Sequence, residues 1–350
     1  MHDVNDDTTN KTPEDGGTNN APEGGGGESE SGAVSLIDTV RGPDDVIQPF
    51  LVDASGVRGR LVRLGPVADT ILARHAYPEP VARLLGETMA LSALLATMMK
   101  FDGLFTLQVQ GDGPVGLLVV DLTSEGGMRA YAQFDEERVA AAVADPAAPH
   151  AEALHLLGSG QLAFTVEPND ARDRYQGVVE LRGQTLAECL QHYFQQSEQV
   201  ASAVRLSVQS RAEADGVARW RVGGLLLQRL PEESGAADLD GLDADEDWRR
   251  AVILMSSVGN DELCDPLLMP NELLYRLFQE DGVRVYPERS VLDRCRCSRE
   301  KVDAVLGGIP PDQLADMKTE DGRVEVTCQF CNRLYSYDNA ALAALTARDD

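Results

Sequence analysis

Four cysteines near the C-terminus have the types and spacing of metal ligands. Cys295-Arg296-Cys297 is followed, after 30 residues, by Cys328-Gln329-Phe330-Cys331. Thiolate sulfur suits tetrahedral Zn(II), and four thiolates make a closed structural site. The two residues between Cys328 and Cys331 allow a knuckle turn with both sulfurs on one ion, whereas the single residue between Cys295 and Cys297 is less usual. A set without histidine and without an open coordination position is a poor hydrolase, because catalytic zinc keeps a water ligand. Spacing alone leaves two readings open. One is an inert zinc ribbon. The other is a switch, because oxidising a thiolate removes a ligand and each pair has its disulfide partner close by.

Other chemistry-bearing patterns are weaker. Gly111-Asp-Gly-Pro-Val-Gly116 fits the letters of a dinucleotide fingerprint, but Leu117-Leu118-Val119-Val120 reads as a strand where a helix is required, so a hairpin turn is expected. Cys189 and Cys264 are isolated and are expected to be packed rather than reactive. The five histidines, His2, His75, His150, His155 and His192, have no metal spacing.

Positioning the four sulfurs falls to a C-terminal region, residues 291–350. Ser298 is expected to cap a helix running to Leu306, residues 324–327 and 333–337 to form a hairpin around the Cys328/Cys331 turn, and Asp338 to cap a last helix. So small a module needs a staple, and a structural metal supplies one. Before it, residues 231–290 combine a Pro, Gly, Asp and Glu stretch with two helical patterns, 248–258 and 271–280, the second with Leu273, Leu274, Leu277 and Phe278 on one side. Such helices are not stable alone and must dock on something. Residues 45–230 read as an α+β core domain, mostly antiparallel, with strands near 50–64, 104–110, 115–122, 129–133, 162–167, 176–181, 204–209 and 221–229. Two helices interrupt them: a long apolar one over 81–100, and one opened by the capping-box pattern Thr185-Leu186-Ala187-Glu188. Residues 1–44 are polar, acidic and glycine-rich, so a disordered tail is expected, with neither a secretory h-region nor a membrane span along the chain. A cytoplasmic protein with reduced thiols follows as the expectation.

The formal net charge is -27 on 350 residues. It argues against broad binding to nucleic acid or anionic membranes, which are polyanions, but not against a small local basic site. The excess is uneven: residues 1–46 carry net -9 and residues 231–290 net -10, against -3 for 291–350. Four of the 31 basic residues are Lys, which fits a GC-rich genome and also a salt-adapted cytoplasm.

The cysteine arrangement resembles that of the redox-regulated 33 kDa chaperonin family, the heat shock protein 33 holdases. Tyr193-Phe194-Gln195-Gln196-Ser197-Glu198-Gln199, Tyr175-Gln176-Gly177, Gly111-Asp-Gly-Pro114 and Leu277-Phe278-Gln279-Glu280 are similar to segments of that family, and the likeness covers about residues 45–345. The resemblance implies an ATP-independent chaperone rather than an enzyme. In it Cys295, Cys297, Cys328 and Cys331 hold Zn(II) in the reduced form. Oxidants convert them to Cys295–Cys297 and Cys328–Cys331 disulfides, zinc leaves, and the linker and C-terminal module lose structure. The oxidised form is then expected to dimerise, bind unfolding client proteins and pass them to ATP-dependent chaperones. The alternative is a constitutive zinc-ribbon interaction or RNA-binding protein, for which a basic zinc module would be expected. The acidic N-terminal tail has no counterpart in the resemblance.

Overall fold

The computed structural model describes residues 44–144, 154–170, 174–213, 215–230 and 241–346. The expected acidic tail lies outside them except for Asp44, whose carboxylate pairs with Arg221 and, at 3.5 Å, with Arg63, and so belongs to the fold. Strands β1 (Val46–Val52) and β2 (Val57–Leu64) form the expected hairpin. Helix α1 (Pro66–Ala73), which the sequence reading missed, starts on Pro66 and is capped from outside: Asp45 accepts from the backbone N–H groups of Gly65 (2.8 Å) and Val67 (3.2 Å).

Helix α2 (Glu79–Ala96) is buried around most of its circumference because it lies between two sheets. It touches β2 on one side and, on the other, β3 (Gly103–Gly111), β4 (Val115–Thr123) and β5 (Gly127–Phe134). Short α3 (Glu136–Ala144) and α4 (Leu154–Leu157) precede β6 (Gly160–Pro168) and β7 (Tyr175–Glu180). Thr185 Oγ1 accepts from Glu188 N at 3.2 Å and opens α5 (Leu186–Tyr193), as its spacing predicts. The reciprocal bond of the box reaches one residue further back, to Gln184 N at 2.7 Å. A π-helical turn, Phe194–Glu198, then ends on left-handed Gln199.

Strands β8 (Ser202–Ala212) and β9 (Ala218–Arg229) return to β2. Beyond them lie α6 (Gly241–Ser256), α7 (Asn260–Leu263), α8 (Pro270–Phe278), β10 (Val283–Val285), β11 (Arg289–Ser290) and β12 (Leu292–Asp293). The first sheet runs β10-β1-β2-β9-β8 with β11 also on β1, and the second β12-β5-β4-β3-β6-β7. The class is therefore the expected mostly antiparallel α+β; β12 on β5 is the parallel exception. Two cores result. One surrounds α2 between the sheets. The other lies on the far face of the first sheet, where Met255, Leu263, Leu274 and Phe278 of the acidic segment cover Phe50, Val57, Leu61 and Leu225. Phe278 stacks on Phe50 with centroids 5.8 Å apart. The chain ends in α9 (Arg299–Gly307), α10 (Pro311–Asp316), β13 (Val324–Thr327), β14 (Leu334–Tyr337) and α11 (Asn339–Thr346). Among the described residues no helix is long and apolar enough to cross a membrane.

Candidate metal and redox centre

Strand β12 delivers the first cysteine pair. Leu292 N bonds Gly126 O at 2.8 Å and Arg294 N bonds Met128 O at 3.0 Å, which fixes the chain against β5 just before Cys295. Ser298 Oγ then caps α9 by accepting from Lys301 N, as expected, and turns the chain away after Cys297. The β13–β14 hairpin holds the second pair. Cys328 N bonds Arg333 O at 3.0 Å, Asn332 N bonds Cys328 O at 2.9 Å, and left-handed Asn332 closes the knuckle. Asp338 Oδ1 accepts from Ala341 N at 2.8 Å and caps α11. Leu306, Leu314, Val324, Tyr335, Tyr337 and Leu342 make a small core with Cys297 and Cys328 packed on it.

All four sulfurs lie within 4.8 Å of one another. A tetrahedral Zn(II) with Zn–S near 2.3 Å needs sulfur pairs roughly 3.8 Å apart. The contacts Cys295–Cys328 at 3.7 Å and Cys297–Cys331 at 3.4 Å are close to that edge, so the donor set fits the ion. Both of these contacts run between the motifs rather than within them. Four crowded thiols cannot all ionise alone. Burial pushes Cys297 up, but hydrogen bonds from Tyr335 (3.2 Å) and the neighbouring sulfurs outweigh it and bring the thiol down to about 7. Cys331 is pushed up to about 12 by burial and by its sulfur neighbours. A bound dication removes this conflict by compensating the thiolate charge.

Besides the pairing of β12 with β5, an aromatic residue docks the centre on the second sheet. The guanidinium of Arg129, from β5, sits 3.9 Å above the Phe330 ring between the knuckle cysteines, and Tyr131 approaches the same ring at 6.1 Å. Arg129 also points Nη1 at Cys295 Sγ (4.0 Å) and is held by Asp121 at 2.6 Å. Asn332 Nδ2 donates to Arg74 O at 2.6 Å, and Arg74 pairs with Asp293. Sequence reasoning missed Arg129, Tyr131, Arg74 and Tyr335. Only Tyr335 left a signal, alternating with buried Tyr337 on the strand after the knuckle.

Cys189 and Cys264 stand apart from the centre. Both are buried, and burial raises both thiols. Cys189 Sγ donates to Arg182 O at 3.1 Å, and Cys264 Sγ lies 3.6 Å from the carbonyls of Ser207 and Arg221. Among the described residues the four-cysteine group is the one candidate metal cluster, and His75, His155 and His192 are outside it; His2 and His150 lie outside the described residues. The glycine-rich Gly111–Gly116 segment is the β3–β4 turn.

Fold and centre together define an α+β protein with a C-terminal four-cysteine module able to hold a metal ion. The family model described as Hsp33 protein matches residues 45–338. The 33 kDa chaperonin of Caulobacter vibrioides is 43% identical over 295 residues, covering 84% of this chain and 95% of that one. The 33 kDa chaperonin of Pseudomonas fluorescens is 39% identical over 308 residues, covering 87% and 95%. The crystal structure of a 33 kDa chaperonin, a heat shock protein 33 homologue from Thermotoga maritima, shares the fold with a TM-score of 0.69 at 23% identity, covering 88% of this chain and 100% of that one. The chain belongs to the Hsp33 family.

Proposed function

We propose that this protein is a redox-switched, ATP-independent holdase, not an enzyme, that keeps unfolding proteins soluble in the cytoplasm under oxidative and heat stress. One observation carries the reading: the four sulfurs sit at a docked module joined in sequence to helices whose apolar faces cover the first sheet. The relatives' shared designation as chaperonins supports it. Residues 45–230 act as the core, 231–290 as a metastable linker and 291–350 as the switch.

In the reduced state Cys295, Cys297, Cys328 and Cys331 hold Zn(II), which when bound cross-links the two cysteine motifs. Arg129 and Tyr131 grip Phe330 and keep the module on the core. Under oxidation one thiolate of a pair attacks a peroxide; the O–O bond breaks and a sulfenic acid forms. The partner thiolate displaces the hydroxyl as water, so each disulfide forms as one peroxide is reduced to two waters. Two such steps, giving Cys295–Cys297 and Cys328–Cys331, remove every metal ligand. Without that staple the small core around Leu306, Val324 and Tyr337 is too small to persist. The linker then loses its anchor beside β5 and uncovers apolar surface for clients. The oxidised form dimerises and hands clients to ATP-dependent chaperones.

The test combines zinc, thiol and client readouts on one sample. Peroxide at mildly elevated temperature is expected to release one zinc per chain as four thiols disappear, and a thermally unfolding client should then stay soluble. Equal protection by the reduced protein would sink the switch and favour a constitutive zinc-ribbon interaction protein. Peptide mapping decides the pairing.

A further inference from the structure

Two of the segments that resemble the family take no part in the cysteine centre. Tyr175-Gln176-Gly177 and Tyr193 to Gln199 meet instead at a cavity of about 590 Å³ between the two sheets, beside the C-terminal end of α2. None of the residues lining it belongs to 291–350. Its volume lies within the range of small-molecule sites, roughly 300–1,000 Å³.

Both segments have a local reason to be there. An added Cβ at Gly177 would sit 2.3 Å from Phe164, so glycine is what lets that ring lie across β7 and form a wall. The π-helical turn places Phe194 in the cavity, while Tyr193 donates to Glu198 at 2.9 Å and meets Phe164 edge-on at 5.5 Å. π-turns are uncommon and concentrate at functional sites. Met98, Met99 and Phe101 supply the opposite wall, and thioethers adapt to irregular apolar guests.

The polar groups at this cavity are biased toward cations. Arg58 and Lys100 line it, and neither pairs with a carboxylate among the described residues. Among the described residues Arg58 commits Nε alone, to Gln228 Oε1 at 3.1 Å. Behind it Arg60 donates to Thr97 O at 3.0 Å, its Nε is buried without a partner, and burial with the fields of Arg58 and Arg289 brings it down to about 10. Glu198, the carboxylate on the wall, is engaged by Tyr193. In a chain of net charge -27, two cations on the wall and Arg60 behind them face the single carboxylate of Glu198, an excess of positive charge at an apolar cavity that suits an anion.

We propose that this cavity binds an amphipathic anion of the fatty-acid class, its acyl chain between the methionines and Phe164 and its carboxylate on Arg58 and Lys100. Charge complementarity at one end of an apolar space favours this guest over an uncharged peptide side chain.

Calorimetric titration of the full-length reduced protein with sodium octanoate, decanoate and dodecanoate, below micelle formation, tests it. Affinity is expected to rise about fourfold per added methylene, the equivalent of about 0.8 kcal/mol each. Decanol should bind more weakly than decanoate. Arg58→Gln should lower decanoate affinity at least tenfold and leave decanol unchanged, whereas Arg58→Lys should retain the preference. Met99→Trp should block both. Absence of binding, binding indifferent to chain length, or a carboxylate preference that survives in Arg58→Gln with native zinc content would overturn the proposal. An apolar uncharged peptide competing with dodecanoate equally in wild type and Arg58→Gln would also overturn it, in favour of a client pocket. None of these outcomes depends on the redox switch.

Discussion

At the scale of single residues, Glu87 makes the sharpest physical prediction. It lies on α2, half-buried, with Oε2 shielded and unpartnered, and burial raises its carboxyl to about 7 against the field of Arg83. The folded state therefore keeps a proton that the unfolded chain releases from about pH 4.5 upward. Stability from this group is complete below that value and falls as pH rises toward 7, by about 3 kcal/mol in all. Glu87→Gln cannot ionise, so urea unfolding should find it more stable than the parent at pH 8 and close to it at pH 4. A gain of equal size at both values would assign the effect to packing instead. The cysteines, Ser298 and Asp338 were legible at this scale because ligand spacing and helix caps are local signals. Arg129 was not: it reaches Cys295 across 166 positions of sequence, and nothing in strand β5 distinguishes it from an outward-facing arginine.

Among elements, the decisive contact is between helices α6–α8 and the outer face of the first sheet. The apolar faces of α6 and α8 were legible from helical periodicity, although α6 starts at Gly241, earlier than the expected 248, and α7 was not foreseen; the surface they cover was not legible, because it is assembled from β1, β2, β8 and β9, which are far apart in sequence. Phe278 is fully buried against Phe50. Phe278→Ala removes that stack, and a buried Phe-to-Ala change costs roughly 3–5 kcal/mol. Met255, Leu263, Leu268 and Leu274 share the face, but Phe278 is among the largest fully buried side chains of the fold, so its loss weakens the docking of the whole segment. The expected outcome is a linker released while all four thiols stay reduced: increased binding of an apolar dye, and protection of a thermally unfolding client without oxidant. Dye binding without protection would mean that the uncovered surface is not what holds clients. Helix α1 was invisible in the sequence for a related reason, since its cap, Asp45, comes from before β1.

For the whole molecule, the unread feature was the split into two sheets. Strand β2 pairs with β9, and α2 is inserted before the second sheet begins; hairpin signals give antiparallel neighbours but not how many sheets they make. The charge distribution was readable, and the structure gives it a mechanical context. Asp245 pairs with Arg229, while Arg250 pairs with Glu280 (2.7 Å) and Asp281 (3.2 Å). These pairs are largely exposed and contribute on the order of 0–1 kcal/mol each. Docking therefore balances only a little of the net -10 carried by residues 231–290. Once the segment is free, its acidic side chains repel one another over a screening length of about 8 Å at physiological salt. In the proposed switch that repulsion would hold the opened chain extended and keep its apolar residues from collapsing on one another and from aggregating without limit. Replacing Asp238, Asp240, Asp243 and Asp245 by Asn removes four of the charges; Asp238 and Asp240 lie outside the described residues. The reduced variant should remain soluble. The oxidised variant should scatter light and lose client capacity under conditions where the oxidised parent does neither, and raising KCl should push the parent toward the variant. An oxidised variant as soluble and as protective as the parent would show that the acidity of this segment is incidental to the switch.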